Sequence, residues 1–193
     1  YLSQTGTDAL KGADILRTAP ESYTSSVEYA GNSVAQYMKN IAQVHLAGFG
    51  TRILYTTAPY NSFDTHAGQA GVHDQLLENV SGAVYDFYED LKEHNASEEV
   101  VVLLFSEFGR RVRDNGSGTD HGSGGTAFVI GDAVAGGLYG EHPSLEPSRL
   151  LEGDLHFNND FRGTYASLAE KWMGLEAAPI VGGVFEQPDF IRT

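Results

Sequence analysis

Apolar residues recur three or four positions apart from residue 25 to 47, at Val27, Ala30, Val34, Tyr37, Met38, Ile41 and Val44, the spacing that turns one face of a helix toward a core. Gly48 and Gly50 follow and predict where that helix ends. Arg52 to Ala58 (RILYTTA) is short, rich in β-formers and bounded by Gly50 and Pro59, which predicts a buried strand followed by a loop from Pro59 to Val72. His73 to His94 returns to helical spacing. It turns Leu76, Leu77, Val80, Val84, Phe87 and Leu91 inward and Asp86, Glu89, Asp90, Lys92 and Glu93 outward, as an amphipathic crossover helix does.

Val100 to Phe105 (VVVLLF) is unbroken apolar sequence, the mark of a strand covered on both faces in a parallel sheet. A polar, Gly-rich loop is expected after it, then a strand over Gly125 to Gly131 (GTAFVIG). The last predicted element is a helix over Phe161 to Met173, built on Tyr165, Leu168, Ala169 and Trp172 with Asp160 as its N-cap. The order strand, helix, strand, long loop, strand, helix predicts an α/β fold: a doubly wound, mainly parallel sheet flanked by helices, with a right-handed crossover. In such a sheet sites form at the carboxyl ends of strands, which points to the loops after Ala58 and Phe105.

At 193 residues, 41% of them apolar, the chain is long enough for one substantial core, and disorder is excluded. One domain over 1–193 is expected, with 1–24 a peripheral, helix-like segment and 25–193 the core. The chain starts at Tyr1 and turns helix-like almost at once, so an upstream part is expected. Twelve Lys+Arg against 26 Asp+Glu leave a net charge of −14, which repels phosphate backbones and argues against nucleic-acid binding. No apolar run approaches the roughly 20 residues of a membrane span. With no Cys, any metal must be held by O and N ligands.

The two loops carry a high density of such ligands: Asp64 and His66 in SFDTHAGQ, Glu107 in FSEFGRR, and Asp120 and His121 in GTDHGSGG. Three carboxylates and two imidazoles suit Zn, Mn or a similar divalent ion, with Mg or Ca open if carboxylates dominate. The plainer alternatives are specific. Asp in a Gly-rich turn commonly bonds its own backbone, a loop His is commonly just solvated, and Glu107 can pair with Arg110 or Arg111, which can equally bind an anion.

Three stretches, FDTHAGQ, FSEFGRRVRDNGSGTDHGSGGTAFVIGDAVAGGLYG and DFRGTYASLAEKWMG, resemble the domain-of-unknown-function family 1501, within the alkaline-phosphatase-like and sulfatase-like superfamily. The resemblance covers the chain from about residue 25 onward and matches the C-terminal half of that family's proteins. It implies an N-terminal half with the first strands of the sheet and a twin-arginine signal, hence a periplasmic or extracellular protein. It further implies that Ser106-Glu107-Phe108-Gly109 resembles the Ser-Asp-His-Gly that ends the corresponding sulfatase strand, so that Glu107 takes the Asp position. His121 then resembles the superfamily's later His and Asp64 its first ligand. Phe108 stands where a His ligand is expected, and His66 follows Asp64 by two residues where the pattern has four. The metal site implied is a reduced one, drawn from Asp64, His66, Glu107, His121 and Asp120.

These readings lead to a metal-dependent hydrolase of phosphate or sulfate esters, with Arg110 as clamp for a small anionic substrate and the nucleophile in the N-terminal half. Its own N-terminal half, or another copy of the chain, is the expected partner. The alternative is an exported binding or scaffold protein that keeps a degenerate ion site without turnover.

Overall fold

A computed structural model describes residues 2–59 and 62–192, with the side chains of all but 2, 3, 8 and 15. Residues 60 and 61 of the loop expected from Pro59 to Val72 lie outside the described residues. The chain divides into two compact units, Tyr1–Thr65 with Ala70–Ser97, and His66–Gln69 with Glu98–Thr193.

The first unit is helical. α1 spans Leu2–Ser22, α2 Ser33–Leu46 and α3 His73–Glu93. α2 starts later than the apolar spacing suggests, because Asn32 caps it, its side chain accepting from Ala35 N at 3.0 Å. Gly48, at φ 66°, lies just past the helix end, as expected. The α2 and α3 faces bury Val34, Ala35, Met38 and Ala42 from one helix and Val80, Ala83, Phe87 and Leu91 from the other.

Asp90, expected on the outer side of α3, is instead fully buried. Residues 23–29, expected in part as the first turns of α2, form a strap that supplies its partners. Tyr23 and Tyr29 donate their hydroxyls to Asp90 Oδ2 at 2.5 and 2.7 Å, while Oδ1 lies 3.2 Å from His94 Nδ1. His94 directs Nδ1 at Asp90 O (2.8 Å) and Nε2 at Thr24 O (3.0 Å). Ser26 completes the strap, donating N and Oγ to Glu93 Oε2 at 3.0 and 2.8 Å.

Residues 52–58, expected as a buried strand, form none. β-propensity reflects packing on a paired, half-buried surface, and here Ile53 and Tyr55 are 71% and 74% exposed.

The second unit holds four short strands: β1 Val102–Leu104, β2 Gly109–Asp114, β3 Thr119–Gly122 and β4 Phe128–Ile130. β1 pairs with β4, Val102 opposite Ile130 and Leu104 opposite Phe128, and β2 pairs with β3, Arg110 opposite His121. Both pairs are antiparallel, which corrects the parallel arrangement expected of 100–105 and 126–131. A parallel pair requires a crossover of a dozen or more residues, usually a helix. Between β1 and β4 the chain holds only the β2–β3 hairpin, so it can come straight back. Because 52–58 forms no strand, α3 joins no parallel pair among the described residues.

The hairpin replaces much of the expected long loop. Its turn is Asn115-Gly116-Ser117-Gly118, closed by Asn115 N donating to Gly118 O at 2.9 Å. At its open end Gly109 passes so close to Gly124 that a Cβ there would sit 1.7 Å from Gly124 O. After β4, the C-terminal segment returns to pair Ile191 with Val134.

α4 runs Phe161–Ser167, with Asp160 as N-cap accepting from Arg162 N at 2.9 Å, and continues as a π-helical turn over Leu168–Trp172. α5 is the single turn Ala178–Val181. Ala166, Ala169 and Ala177 bury a small core against Val181. Among the described residues no helix is long and apolar enough to cross a membrane.

Candidate metal centre

The hairpin tip holds the segment His66–Gln69 in place. Gly68 N donates to Ser117 Oγ at 2.9 Å, and Thr119 Oγ1 donates to Gln69 Oε1 at 3.0 Å. Gly118 permits the approach, since a Cβ there would lie 2.9 Å from His66 O.

This docking sets His66 beside β3. The His66 and His121 rings lie 4.7 Å apart between centroids, tilted by 35°. His66 Nδ1 is 3.3 Å from Asp120 Oδ1, so Asp120 partners His66 rather than its sequence neighbour His121. Asn115 donates Nδ2 to the same Oδ1 at 3.0 Å. That bond, then the one to His66, holds the Asp120 carboxyl below its ordinary range.

Asp64 precedes His66 by two residues and lies at the end of a segment of the first unit. Within the second unit, one ring nitrogen of His66 and one of His121 lie within 4.8 Å of each other. Paired imidazole nitrogens are among the donors that a divalent ion of the zinc kind takes. Asp120, 3.3 Å from one ring nitrogen of His66, stands where a carboxylate orients an imidazole.

Of the five ligands expected from sequence, His66 and His121 gather in the second unit, Asp120 stands behind His66, Asp64 lies in the first unit, and Glu107 is exposed and outside the group. Arg110, expected to clamp an anion, donates Nη1 to Thr119 O at 2.7 Å and sets its guanidinium 5.1 Å from the Phe108 ring centre. Arg111 donates Nε to His121 O at 3.3 Å, so both arginines brace the hairpin.

Phe108 occupies the place where the resemblance implies a ligand, and its ring stacks on His121 at 3.8 Å and 9°. It fixes the plane of that imidazole. Sequence reasoning missed this contact and missed Asn115. Part of the signal for the second was present in the Asn115-Gly116 pair, a turn signature, but its polar flanks lack the alternation that completes a hairpin pattern.

The family described as "Protein of unknown function (DUF1501)" matches residues 5–173. No curated protein and no solved structure matches the chain.

Proposed function

Starting from the chain's membership of the DUF1501 family, which holds over residues 5–173, we propose that it is a metal-dependent hydrolase of phosphate or sulfate esters. The alkaline-phosphatase-like and sulfatase-like affinity, the doubly wound sheet that goes with it, and export to the periplasm or cell exterior belong to the same reading. The observation that supports it is the grouping of His66 and His121, with Asp120 against His66.

The donor set fits a divalent ion of the zinc or manganese kind, with two imidazoles and a carboxylate and no thiolate. Asp64, His66 and His121 would hold it, and its chemistry is to polarise the ester oxygen and stabilise the charge that develops there. Asp120 orients the His66 ring through Nδ1. Phe108 fixes the His121 ring by stacking. Arg110 and Arg111 hold β3 in register behind both.

The test is zinc stoichiometry by atomic absorption, with a turnover screen on generic phosphate and sulfate esters. The protein should bind zinc and turn over one ester class. His66→Ala and His121→Ala should each lose the ion and the activity with the fold intact, while Glu107→Gln keeps the ion. Unchanged zinc content in both His variants sinks the assignment. Phe108 favours a second reading, a binding or scaffold protein, because an aromatic ring covers His121 at 3.8 Å where the resemblance implies a further ligand. Bound zinc without turnover on either ester class would support that reading.

A further inference from the structure

We propose that Asn115 is the positioning residue of this centre, the single amide that sets Asp120 and His66 in the arrangement an ion requires. The inference rests on the reading of His66 as a ligand. Its own evidence is the hydrogen bonding of one side chain.

An Asn side chain offers two donor hydrogens and an acceptor oxygen with two lone pairs, and at position 115 all four are used. Nδ2 donates to Asp120 Oδ1 at 3.0 Å and to His66 O at 3.1 Å. Oδ1 accepts from Ser117 N at 3.1 Å and from Gly118 N at 2.9 Å. The acceptor half builds the turn, and the donor half reaches out of it to both members of the Asp120–His66 pair.

Those two members need an organiser. Asp120 and His66 have side chains 57% and 49% exposed, and a single hydrogen bond between exposed groups competes poorly with water. Asn115 removes the choice by tying the Asp120 oxygen and the His66 backbone to the same nitrogen. With its oxygen held, the carboxylate accepts from Nδ1 of His66, and an acceptor opposite Nδ1 selects the Nδ1–H tautomer. Nε2 is then the unprotonated nitrogen, the form that a metal requires.

The two halves of the amide make the idea testable in one atom. Asn115→Asp keeps an oxygen to accept from Ser117 N and Gly118 N, so the turn survives. It replaces both donor bonds with a carboxylate facing that of Asp120. Zinc affinity should fall about 10- to 100-fold, the usual loss when an outer partner of a ligating His is removed. In the metal-free protein, the imidazole nitrogen resonances of His66 should move from the Nδ1–H form to the Nε2–H form while the amide resonances of 109–122 hold their dispersion.

The tautomer change separates the two proposals. A wild-type protein that binds no zinc yet shows the His66 change in Asn115→Asp overturns the metal reading and upholds the positioning role. Zinc binding by the wild type with no change of tautomer in the variant overturns the positioning role and leaves the metal reading standing. Should Asn115→Asp fail to fold, Asp120→Ala, which leaves the turn untouched, must produce the same tautomer change. If it does not, the inference is overturned.

Discussion

Asp90 has no exposed surface, and a carboxyl group taken out of water is costly unless it is hydrogen-bonded. Tyr23 and Tyr29 meet that need at Oδ2. Burial, then the bond to Asp90, pushes the Tyr23 phenol up to about 12 and raises that of Tyr29 as well. His94 faces carbonyl oxygens with both ring nitrogens, and only the imidazolium donates from both. Its pKa is raised, the bond to the Asp90 backbone contributing most. A raised pKa means that the folded state holds the proton more tightly than the unfolded chain. The stability from His94 is thus complete below its ordinary 6.5 and is lost as pH rises through the higher folded value. The Tyr23 contribution is lost in the same direction between 10 and about 12. Denaturant midpoints measured across pH 5.5 to 8.5, roughly the range in which His titrates, should fall with rising pH, and His94→Gln should flatten the curve. A wild-type curve already flat there removes the role. In the structure position 90 continues the buried stripe of Ala83 and Phe87, whereas in the sequence its polarity sorted Asp90 outward. Its partners sit more than 60 residues away in sequence, beyond the reach of local pattern.

At the scale of elements, α4 depends on how it begins and on what lies beneath it. Asp160→Ala removes the acceptor for Arg162 N and should cost about 1 kcal/mol. Gly163→Ala should cost more, because its Cβ would stand 2.0 Å from Glu186 O and force the backbone there to move. Urea midpoints of the two variants check the order, and a Gly163→Ala variant as stable as wild type contradicts the packing. Asp160 was readable from sequence because a cap is a local device, and α3 was readable because its apolar period is sustained over 21 residues. The strands were less so. The β2–β3 hairpin was taken for a loop because Arg110, Arg111, Arg113 and Asp114 show no alternation of apolar and polar residues. The same ambiguity hid how the centre is built. Asp64, His66 and His121 were named from residue type and resemblance, whereas the pairing of Asp120 with His66 follows from the docking of His66–Gln69 on the hairpin tip.

Across the whole molecule, the apolar runs at 100–105 and 125–131 marked β1 and β4 but not their direction. VVVLLF is apolar along its length whether its neighbour runs parallel or antiparallel, and only the intervening chain decides. In the second unit that apolar character is half used: β1 is only partly buried, and Phe105 and Phe128 remain 47% and 55% exposed. The larger sheet proposed above would cover them. The first unit has a different consequence, kinetic in kind. Its strap bonds join residues 61, 67 and 70 positions apart, while the α2 and α3 helices it spans are built from contacts within each turn. Contacts closing such long loops lose chain entropy before they return anything, so the strap forms after the helices and belongs to the far side of the folding barrier. Tyr29→Phe should therefore accelerate unfolding and leave the refolding rate nearly unchanged. Stopped-flow chevrons would show the unfolding limb raised and the folding limb superposed, and a shift of the folding limb instead would place the strap in the nucleus.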